Sequence, residues 1–333
     1  MLPVPSRRQA LAGLAGLAAA PFVPGAFAAE AAPPGWREEW PRTDFSRASV
    51  PFDEILSGGP PRDGIPAVDA PRFAQAARHE GLEDREPVFV LDVPGHPQRA
   101  YPIRYLAWHE IVNDRIGSLP VAATYCPLCN TAVGFDRRLR GRELSFGVTG
   151  KLRNSDLVMY DRQTESWWQQ FEGEAILGEL TGARLAVLTG WMQSWGAWRA
   201  AAPGGLVMRA PDFDRPYGRN PYVGYDGLET PWLYRGETPP HGIHPLARVV
   251  HVGERAWPLD RLAEAGVIEE AGLRLEWTEG QASALDTAEI AAGREVGDVR
   301  VLEAGTRRRV GHGVVFAFAF HAFRPEGRWM LGD

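Results

Sequence analysis

The stretch from Val121 to Thr164 reads VAATYCPLCNTAVGFDRRLRGRELSFGVTGKLRNSDLVMYDRQT and holds both cysteines and the single lysine of the 333-residue chain. An apolar run ends at the turn Cys126-Pro-Leu-Cys129, and further apolar runs with strand character follow it. A polar segment, Gly150 to Asp156, is expected to be a loop between two of these strands. The stretch therefore predicts a β-rich fold with the reactive centre of the protein at this turn.

The composition is that of a globular protein with a substantial core. The chain is 44% hydrophobic and contains 12 Trp and 14 Phe, which can fill one large domain or two modest ones. The formal charge is −6, and the acidic residues are spread along the chain without a basic stripe. Nucleic acid is therefore disfavoured as a partner, and a small ligand or a metal ion is favoured.

The first residues resemble an export signal. Arg7 and Arg8 form a twin-arginine pattern, a mild apolar run extends from Leu11 to Val23, and Ala26-Phe-Ala28 is a small-x-small cleavage site. The apolar run is too short to span a membrane. We expect a twin-arginine signal peptide at residues 1–28, a flexible arm at 29–50, and a periplasmic or secreted protein without an integral membrane segment after signal removal.

A weak internal repeat indicates two related halves. Arg99-Ala-Tyr-Pro-Ile103 returns as Arg255-Ala-Trp-Pro-Leu259, and each copy follows a valine-rich strand and precedes a helix and a further strand. We expect a first half (51–202) that carries the Cys-x-x-Cys centre, an irregular loop (203–245) and a degenerate second half (246–333) that completes the same globular unit. The predicted fold class is α+β, predominantly antiparallel sheet with short peripheral helices.

A Cys-x-x-Cys pair can bind one metal ion, close a small disulfide or cycle between redox states. The sequence has no second such pair, so a metal would need distant histidines. The first candidates are His109, on a helix predicted over 104–113, and His321, on a terminal strand predicted over 314–323 beside small residues, with His312 and His251 behind them. Two thiolates with imidazole suit copper or zinc, so the first hypothesis is a soft-metal protein or metalloenzyme with Cys126, Cys129, His109 and His321 as ligands.

Two other hypotheses remain open. In a periplasmic thiol-disulfide oxidoreductase, Cys126 would attack and Cys129 would resolve, although strands rather than the helix of thioredoxin-like proteins are predicted after the pair. In a non-catalytic binding module, a disulfide would brace the turn and the 203–245 loop would hold a ligand. Lys151 and Asp156 are candidates for acid-base groups beside the cysteines, so the catalytic candidates are Cys126, Cys129, Lys151 and Asp156.

Several segments together resemble one exported family. They are SGGPPRDGIP (57–66), AYPIRYLAWHEIVND (100–114), TYCPLCNTAVGFDR (124–137), GKLRNSDLVMYDRQTESWWQQ (150–170), YGRNPYVGYD (217–226) and HGVVFAFAFHAF (312–323). These segments are similar to those of the family called domain of unknown function 3179. The resemblance spans nearly the whole mature chain, and it implies no established activity, substrate or cofactor.

Overall fold

The computed structural model describes residues 32–332. The predicted signal peptide at 1–28 lies outside this range. Antiparallel sheets dominate, with 36% strand and 17% helix, so the predicted α+β fold class is confirmed. No helix of the described part is long and apolar enough to cross a membrane.

The helices are short. In chain order they are α1 (Trp36–Glu39), α2 (Ile103–His109), α3 (Trp195–Ala201), α4 (Leu259–Ala265) and α5 (Ala317–Phe323). The strands are β1 (Ile55–Ser57), β2 (Phe73–Gln75), β3 (Pro87–Leu91), β4 (Arg99–Pro102), β5 (Ile111–Ile116), β6 (Leu119–Cys126), β7 (Thr131–Asp136), β8 (Arg138–Leu139), β9 (Arg142–Glu143), β10 (Phe146–Arg153), β11 (Asp156–Asp161), β12 (Trp167–Gln169), β13 (Glu174–Leu177), β14 (Ala186–Val187), β15 (Gly190–Ser194), β16 (Leu206–Met208), β17 (Arg248–Val252), β18 (Arg255–Pro258), β19 (Val267–Glu270), β20 (Leu273–Thr278), β21 (Asp298–Glu303), β22 (Gly313–Phe316) and β23 (Arg328–Trp329).

The sheets are small, and each is built from strands that lie either before or after the segment 209–247. Their strand orders are β1-β10-β11-β12-β13, β14-β7-β6-β5, β15-β3-β4-β16-β2, β22-β17-β18-β23 and β19-β20-β21, with β8 and β9 as a separate hairpin. The pairings of these strands are antiparallel except β4 with β16 and β18 with β23. In the described chain, no sheet combines strands from before and after the segment 209–247.

The two halves share one order of elements. In each half a hairpin, a helix and three antiparallel strands are followed by a strand, a helix and a short parallel strand. The elements of the first half in this order are β3, β4, α2, β5, β6, β7, β15, α3 and β16. Their counterparts in the second half are β17, β18, α4, β19, β20, β21, β22, α5 and β23. The register agrees as well, since Leu206 pairs with Arg99 and Arg328 pairs with Arg255. The first half differs by an insertion, β8 to β13, most of which forms a sheet with β1.

The segment predicted as a flexible arm packs against that inserted sheet from residue 32 onward. Trp40 and Phe45 are buried in a cluster with Trp167 and Tyr160, and the rings of Trp40 and Trp167 lie 5.2 Å apart. Aromatic burial of this kind stabilises the segment on the domain. The first described residues therefore form part of the folded body.

Three local predictions differ from the structure. The helix predicted over 104–113 ends at His109, because Glu110 takes a positive φ of 58° and strand β5 begins at Ile111. The terminal strand predicted over 314–323 stops at Phe316 and continues as helix α5. The polar loop predicted over 150–156 is a tight hairpin, since β10 runs to Arg153 and β11 begins at Asp156.

Candidate metal centre

The cysteine pair lies where β6 turns into β7. Cys126 is the last residue of β6, a single 3₁₀ turn spans Pro127–Cys129, and Asn130 takes the left-handed conformation that returns the chain as a strand. The Asn130 side chain accepts a hydrogen bond from the Tyr125 hydroxyl at 3.0 Å and donates one to the Val314 carbonyl at 2.8 Å. Both thiols are free and buried, so the turn holds them rigidly inside the core.

Asp156 reaches the thiols from the hairpin between β10 and β11. Asn154 and Ser155 both take positive φ, the pattern of the two-residue turns that fit twisted hairpins. The Cys129 thiol donates to Asp156 Oδ1 at 2.9 Å, and Asp156 Oδ2 accepts from Gln169 Nε2 at 2.6 Å and from the Phe171 amide at 2.9 Å. Within residues 32–332, Cys126, Cys129 and Asp156 are the one group of three or more His, Cys, Asp or Glu side chains whose ligand atoms all lie within 4.8 Å of one another.

Glu110 is a fourth acidic group at this centre. It directly follows α2, its side chain is buried, and it is near enough to Asp156 and Cys126 for their charges to interact. Its backbone has φ 58° and ψ −33°, and Gly266, the residue at the same place in the second half, has φ 66° and ψ −38°. A glutamate thus occupies a conformation that favours glycine.

The electrostatics of the centre are those of buried acids to which no basic side chain of residues 32–332 is paired. Burial, and then the charge of Asp156, raise the pKa of Glu110 to about 8. Burial raises the pKa of Asp156 to about 6 against the effect of its hydrogen bonds, and burial raises the pKa of the Cys126 thiol and, further still, that of Cys129. No lysine, arginine or histidine of residues 32–332 forms an ion pair with either carboxyl.

Two of the candidates from the sequence lie in other surroundings. Lys151 points to the N-terminal segment, where its Nζ lies 3.2 Å from Glu39 Oε2. His109 is buried, with Nδ1 at 2.7 Å from the Pro66 carbonyl and Nε2 at 2.6 Å from the Tyr217 hydroxyl. Both ring nitrogens of His109 therefore have protein partners.

His321 is also outside the group of cysteines and Asp156. It lies on α5 with Nε2 at 4.0 Å from Glu237 Oε2, and its Nδ1 is buried without a hydrogen-bond partner among the described residues. The structure thus brings together three candidates from the sequence, the two cysteines and Asp156. It does not bring Lys151, His109 or His321 to them.

The segment predicted as an irregular loop, 203–245, covers the cysteine turn. The Tyr225 hydroxyl donates to the Leu128 carbonyl at 2.8 Å, and the Ser155 hydroxyl donates to the Trp232 carbonyl at 2.6 Å. Tyr222 lies beside Glu110 and Cys126, and burial and these neighbours raise its pKa well above the ordinary value. The segment closes the centre from the solvent side.

Glu110 and Gln169 are the site residues that sequence reasoning missed. The sequence contains a feature that could have identified Glu110. The internal repeat aligns Glu110 with Gly266, so a glutamate stands where the second half has a glycine. Gln169 follows two tryptophans in the stretch Trp167-Trp-Gln-Gln170, which shows no local feature that distinguishes a carboxylate partner from a core residue.

The fold and the site together define a β-rich protein of two related halves with a buried centre of two thiols and two carboxyls. The chain belongs to the family described as protein of unknown function (DUF3179), whose model matches residues 62–327. No curated protein matches it significantly. No solved structure matches it significantly either.

Proposed function

We propose that this protein binds one transition-metal ion through Cys126, Cys129 and Asp156. The observation that carries the proposal is the convergence of the two sulfurs and a carboxylate oxygen within 4.8 Å of one another in the core. Tetrahedral zinc ligands, at about 2.3 Å for sulfur and 2.0–2.2 Å for oxygen, lie roughly 3.5–3.8 Å from one another. Small side-chain rotations are enough to reach that spacing.

The donor set favours zinc over copper. Cu(I) prefers soft thiolate and thioether ligands, whereas zinc accepts thiolate and carboxylate in one site. Asp156 supplies an oxygen, and Glu110 is the nearby group that can supply a second. The ligand set proposed here thus replaces His109 and His321 by Asp156 and Glu110.

Charge gives a second argument for a cation. Several acidic side chains share a space from which water is largely excluded, and no basic group of the described chain forms an ion pair with them. Burying an uncompensated carboxylate costs several kcal/mol, and without compensation the group stays protonated. A divalent ion offsets that cost and allows the thiols and carboxyls to ionise.

A thiol-disulfide oxidoreductase is the alternative that the free thiols keep open. Catalytic thiols of this class are partly exposed and have a lowered pKa. Here both sulfurs are buried, and burial raises the pKa of Cys126 and Cys129. These properties favour metal binding over attack on a disulfide.

The proposed location is the periplasm or the cell exterior, reached by the twin-arginine route. The support is the sequence pattern around Arg7 and Arg8. This route carries folded proteins, which fits a metal inserted into a buried site before export. Fusion of residues 1–35 to a reporter, with Arg7 and Arg8 changed to Lys as the matched control, tests the route.

Metal content of the full chain, purified under reducing conditions, tests the function directly. We expect about one equivalent of zinc in the wild-type protein, and loss of most of it in Cys129→Ser and Asp156→Asn. Glu110→Gln, which replaces the carboxylate of the proposed fourth ligand by a weaker amide ligand, should lower the affinity for zinc while the other three ligands remain. Substituted cobalt should show thiolate-to-cobalt charge-transfer absorption, which should fall in Cys126→Ser and disappear when Cys126 and Cys129 are both changed to Ser.

The control is His321→Gln, which removes a ligand predicted from the sequence alone. This variant should retain wild-type zinc if Asp156 and Glu110 complete the site. Loss of zinc in His321→Gln with retention in Asp156→Asn would reverse the ligand assignment. Metal binding would be refuted if the wild-type protein, folded and with both thiols reduced, takes up neither zinc nor copper.

A further inference from the structure

A cavity of about 370 Å³ lies between the two halves, beside the cysteine centre but apart from it. The first half supplies the start of β7 and the residues from Val187 to Gly190. The second half supplies the end of β17 and the residues from Gly311 to Gly313. Small-molecule sites of proteins measure about 300–1,000 Å³ and are frequent at such boundaries.

Two histidines of the second half are among the residues that line this cavity, and each has a ring nitrogen without a hydrogen-bond partner in the described chain. His312 is 7% exposed, its Nδ1 lies 3.0 Å from the Val310 carbonyl, and its Nε2 is buried without a hydrogen-bond partner among the described residues. The Nδ1 of His251 is likewise buried and unpartnered within the described chain. Buried polar atoms in proteins are nearly always hydrogen-bonded, so two such atoms at one cavity indicate a missing partner.

The tautomer of His312 follows from its contacts. Because a carbonyl can only accept, the Nδ1 atom that faces Val310 carries the proton. Burial, more than any neighbouring charge, lowers the pKa of His312 to about 4, so the ring is neutral near pH 7. Its Nε2 is then a hydrogen-bond acceptor without a donor among the described residues.

The remaining walls are mainly apolar. Phe171 is stacked between His251, with ring centroids 5.5 Å apart, and Phe323, with ring centroids 4.8 Å apart, so both of its faces are already covered. Ala132, Val133 and Leu188 add apolar surface. An uncharged molecule with a largely apolar surface fits such walls.

The cavity has no free charge to attract an ion. Arg324 is the charged residue in its lining, and its guanidinium is already paired with Glu172 and with Glu254. The two imidazoles are neutral, since burial also lowers the pKa of His251 to about 4. A charged ligand would lose its hydration without gaining a counter-ion.

We infer that the cavity between the halves binds an uncharged, largely apolar small molecule whose hydroxyl or ring N–H donates a hydrogen bond to His312. The inference does not depend on metal binding, since neither cysteine nor either carboxyl of the metal centre lines the cavity. Phenol and indole are the simplest molecules of this class, and benzoate and benzylamine are their charged counterparts.

Titration calorimetry of the full chain with phenol and indole tests the inference. We expect saturable binding of both, and weaker or undetectable binding of benzoate and benzylamine. His312→Phe keeps a ring of similar size but removes the acceptor, and it should weaken binding about three- to tenfold. Val187→Trp should obstruct the cavity from the rim and abolish binding.

The matched control for Val187→Trp is Val267→Trp, which places the same ring at an exposed valine of the second half. It should bind phenol as the wild type does. A second measurement avoids dependence on the stability of His312→Phe, since addition of phenol should shift the His312 Nε2 resonance in protein with ¹⁵N-labelled histidine.

Some outcomes would overturn the inference. Absence of binding of both phenol and indole at millimolar concentration would do so. So would affinities that are equal in wild type, His312→Phe and Val187→Trp, because the molecules would then bind elsewhere. Benzoate that binds as tightly as phenol would show that the site does not exclude a charged ligand, contrary to the inference.

Discussion

Glu110 combines a positive φ with a buried carboxyl at the centre of the protein. Its counterpart Gly266 has nearly the same backbone angles and no side chain. A non-glycine residue in this region costs about 1–2 kcal/mol relative to glycine, and such costs concentrate at functional sites. The first half therefore maintains a strained glutamate where the second half shows that glycine fits.

Substitutions at Glu110 should reveal this strain. In metal-free protein, Glu110→Gly should have a higher free energy of unfolding than Glu110→Ala by about 1 kcal/mol, because glycine adopts the positive φ without a Cβ clash. Urea unfolding measures the difference. Gly266→Ala is the matched control, and its free energy of unfolding should be lower than that of the wild type by a similar amount. Equal stability of the two Glu110 variants would show that the backbone is unstrained.

At the residue scale the sequence located three of the four acidic groups of the centre. Cys126 and Cys129 are evident from their spacing, and Asp156 lies in the same conspicuous stretch. The sequence pointed to His109, because imidazole is a common partner of thiolate in metal sites, and it gave no reason to consider its neighbour Glu110. The choice between adjacent residues depends on where α2 ends, and helix ends are poorly determined by local pattern.

At the element scale, β10 is held from outside by the segment rich in glycine and proline at 57–66. The Gly150 backbone has φ 72°, and a Cβ there would lie 1.9 Å from the Pro60 carbonyl oxygen. The Gly58 amide also donates to the Gly150 carbonyl at 2.8 Å. Close backbone contact at Gly150 thus fixes the strand that leads to the Asp156 hairpin.

Replacement of Gly150 should destabilise the fold much more than replacement of a glycine whose Cβ position is open to space. Gly150→Ala should lower the free energy of unfolding by about 1–3 kcal/mol more than Gly141→Ala, because overpacking adds to the cost of positive φ. Gly141 has φ 78°, and a Cβ added there would meet no atom within 4 Å. Thermal or urea unfolding of both variants tests this. Equal losses would mean that Pro60 moves away freely.

The type of the terminal element was missed because most of its side chains are buried. The stretch Ala317–Phe323 alternates phenylalanine with small residues, which is typical of a strand. It is nevertheless a helix, in which Phe318 and Phe320 are buried, as are Ala317 and Ala319. A helix buried on most sides shows little of the 3.6-residue hydrophobic period by which a helix is detected.

At the scale of the whole molecule, the duplication was visible in sequence at one place. The offset between the halves is 156 residues at Arg99 and Arg255 but 122 at Leu206 and Arg328. The inserted sheet of the first half changes the offset, so a search at a fixed period cannot find the later elements. The packing between the halves, which creates the cavity, depends on long-range contacts that no local pattern encodes.

The buried histidines of the cavity should make the stability of the whole fold sensitive to acid. Burial lowers the pKa of His312 in the folded protein to about 4, below its ordinary value of 6.5. The unfolded chain therefore binds the proton more readily between pH 6.5 and 4, so stability is lost as the pH falls through this window. The loss expected from one such group is on the order of 1–3 kcal/mol.

Urea unfolding of metal-free protein at several pH values checks this expectation. The free energy of unfolding of His312→Phe should fall less between pH 6.5 and 4 than that of the wild type. His244→Gln, at a histidine whose side chain is 46% exposed, is the control and should follow the wild type. An unchanged pH dependence in His312→Phe would show that this ring is not kept neutral by the fold.

The separation of the sheets bears on the order in which the chain matures. The strands of the first half lie between Ile55 and Met208 and pair only with one another among the described strands. Its last strand, β16, pairs with β4. Domains form from the N-terminus as synthesis proceeds. The first half can therefore complete its hydrogen-bonded ladders while the second half is still on the ribosome. The core around Cys126 and Cys129 is shared with the second half, so the residues from Tyr222 to Trp232 and then the second half complete the burial of the centre.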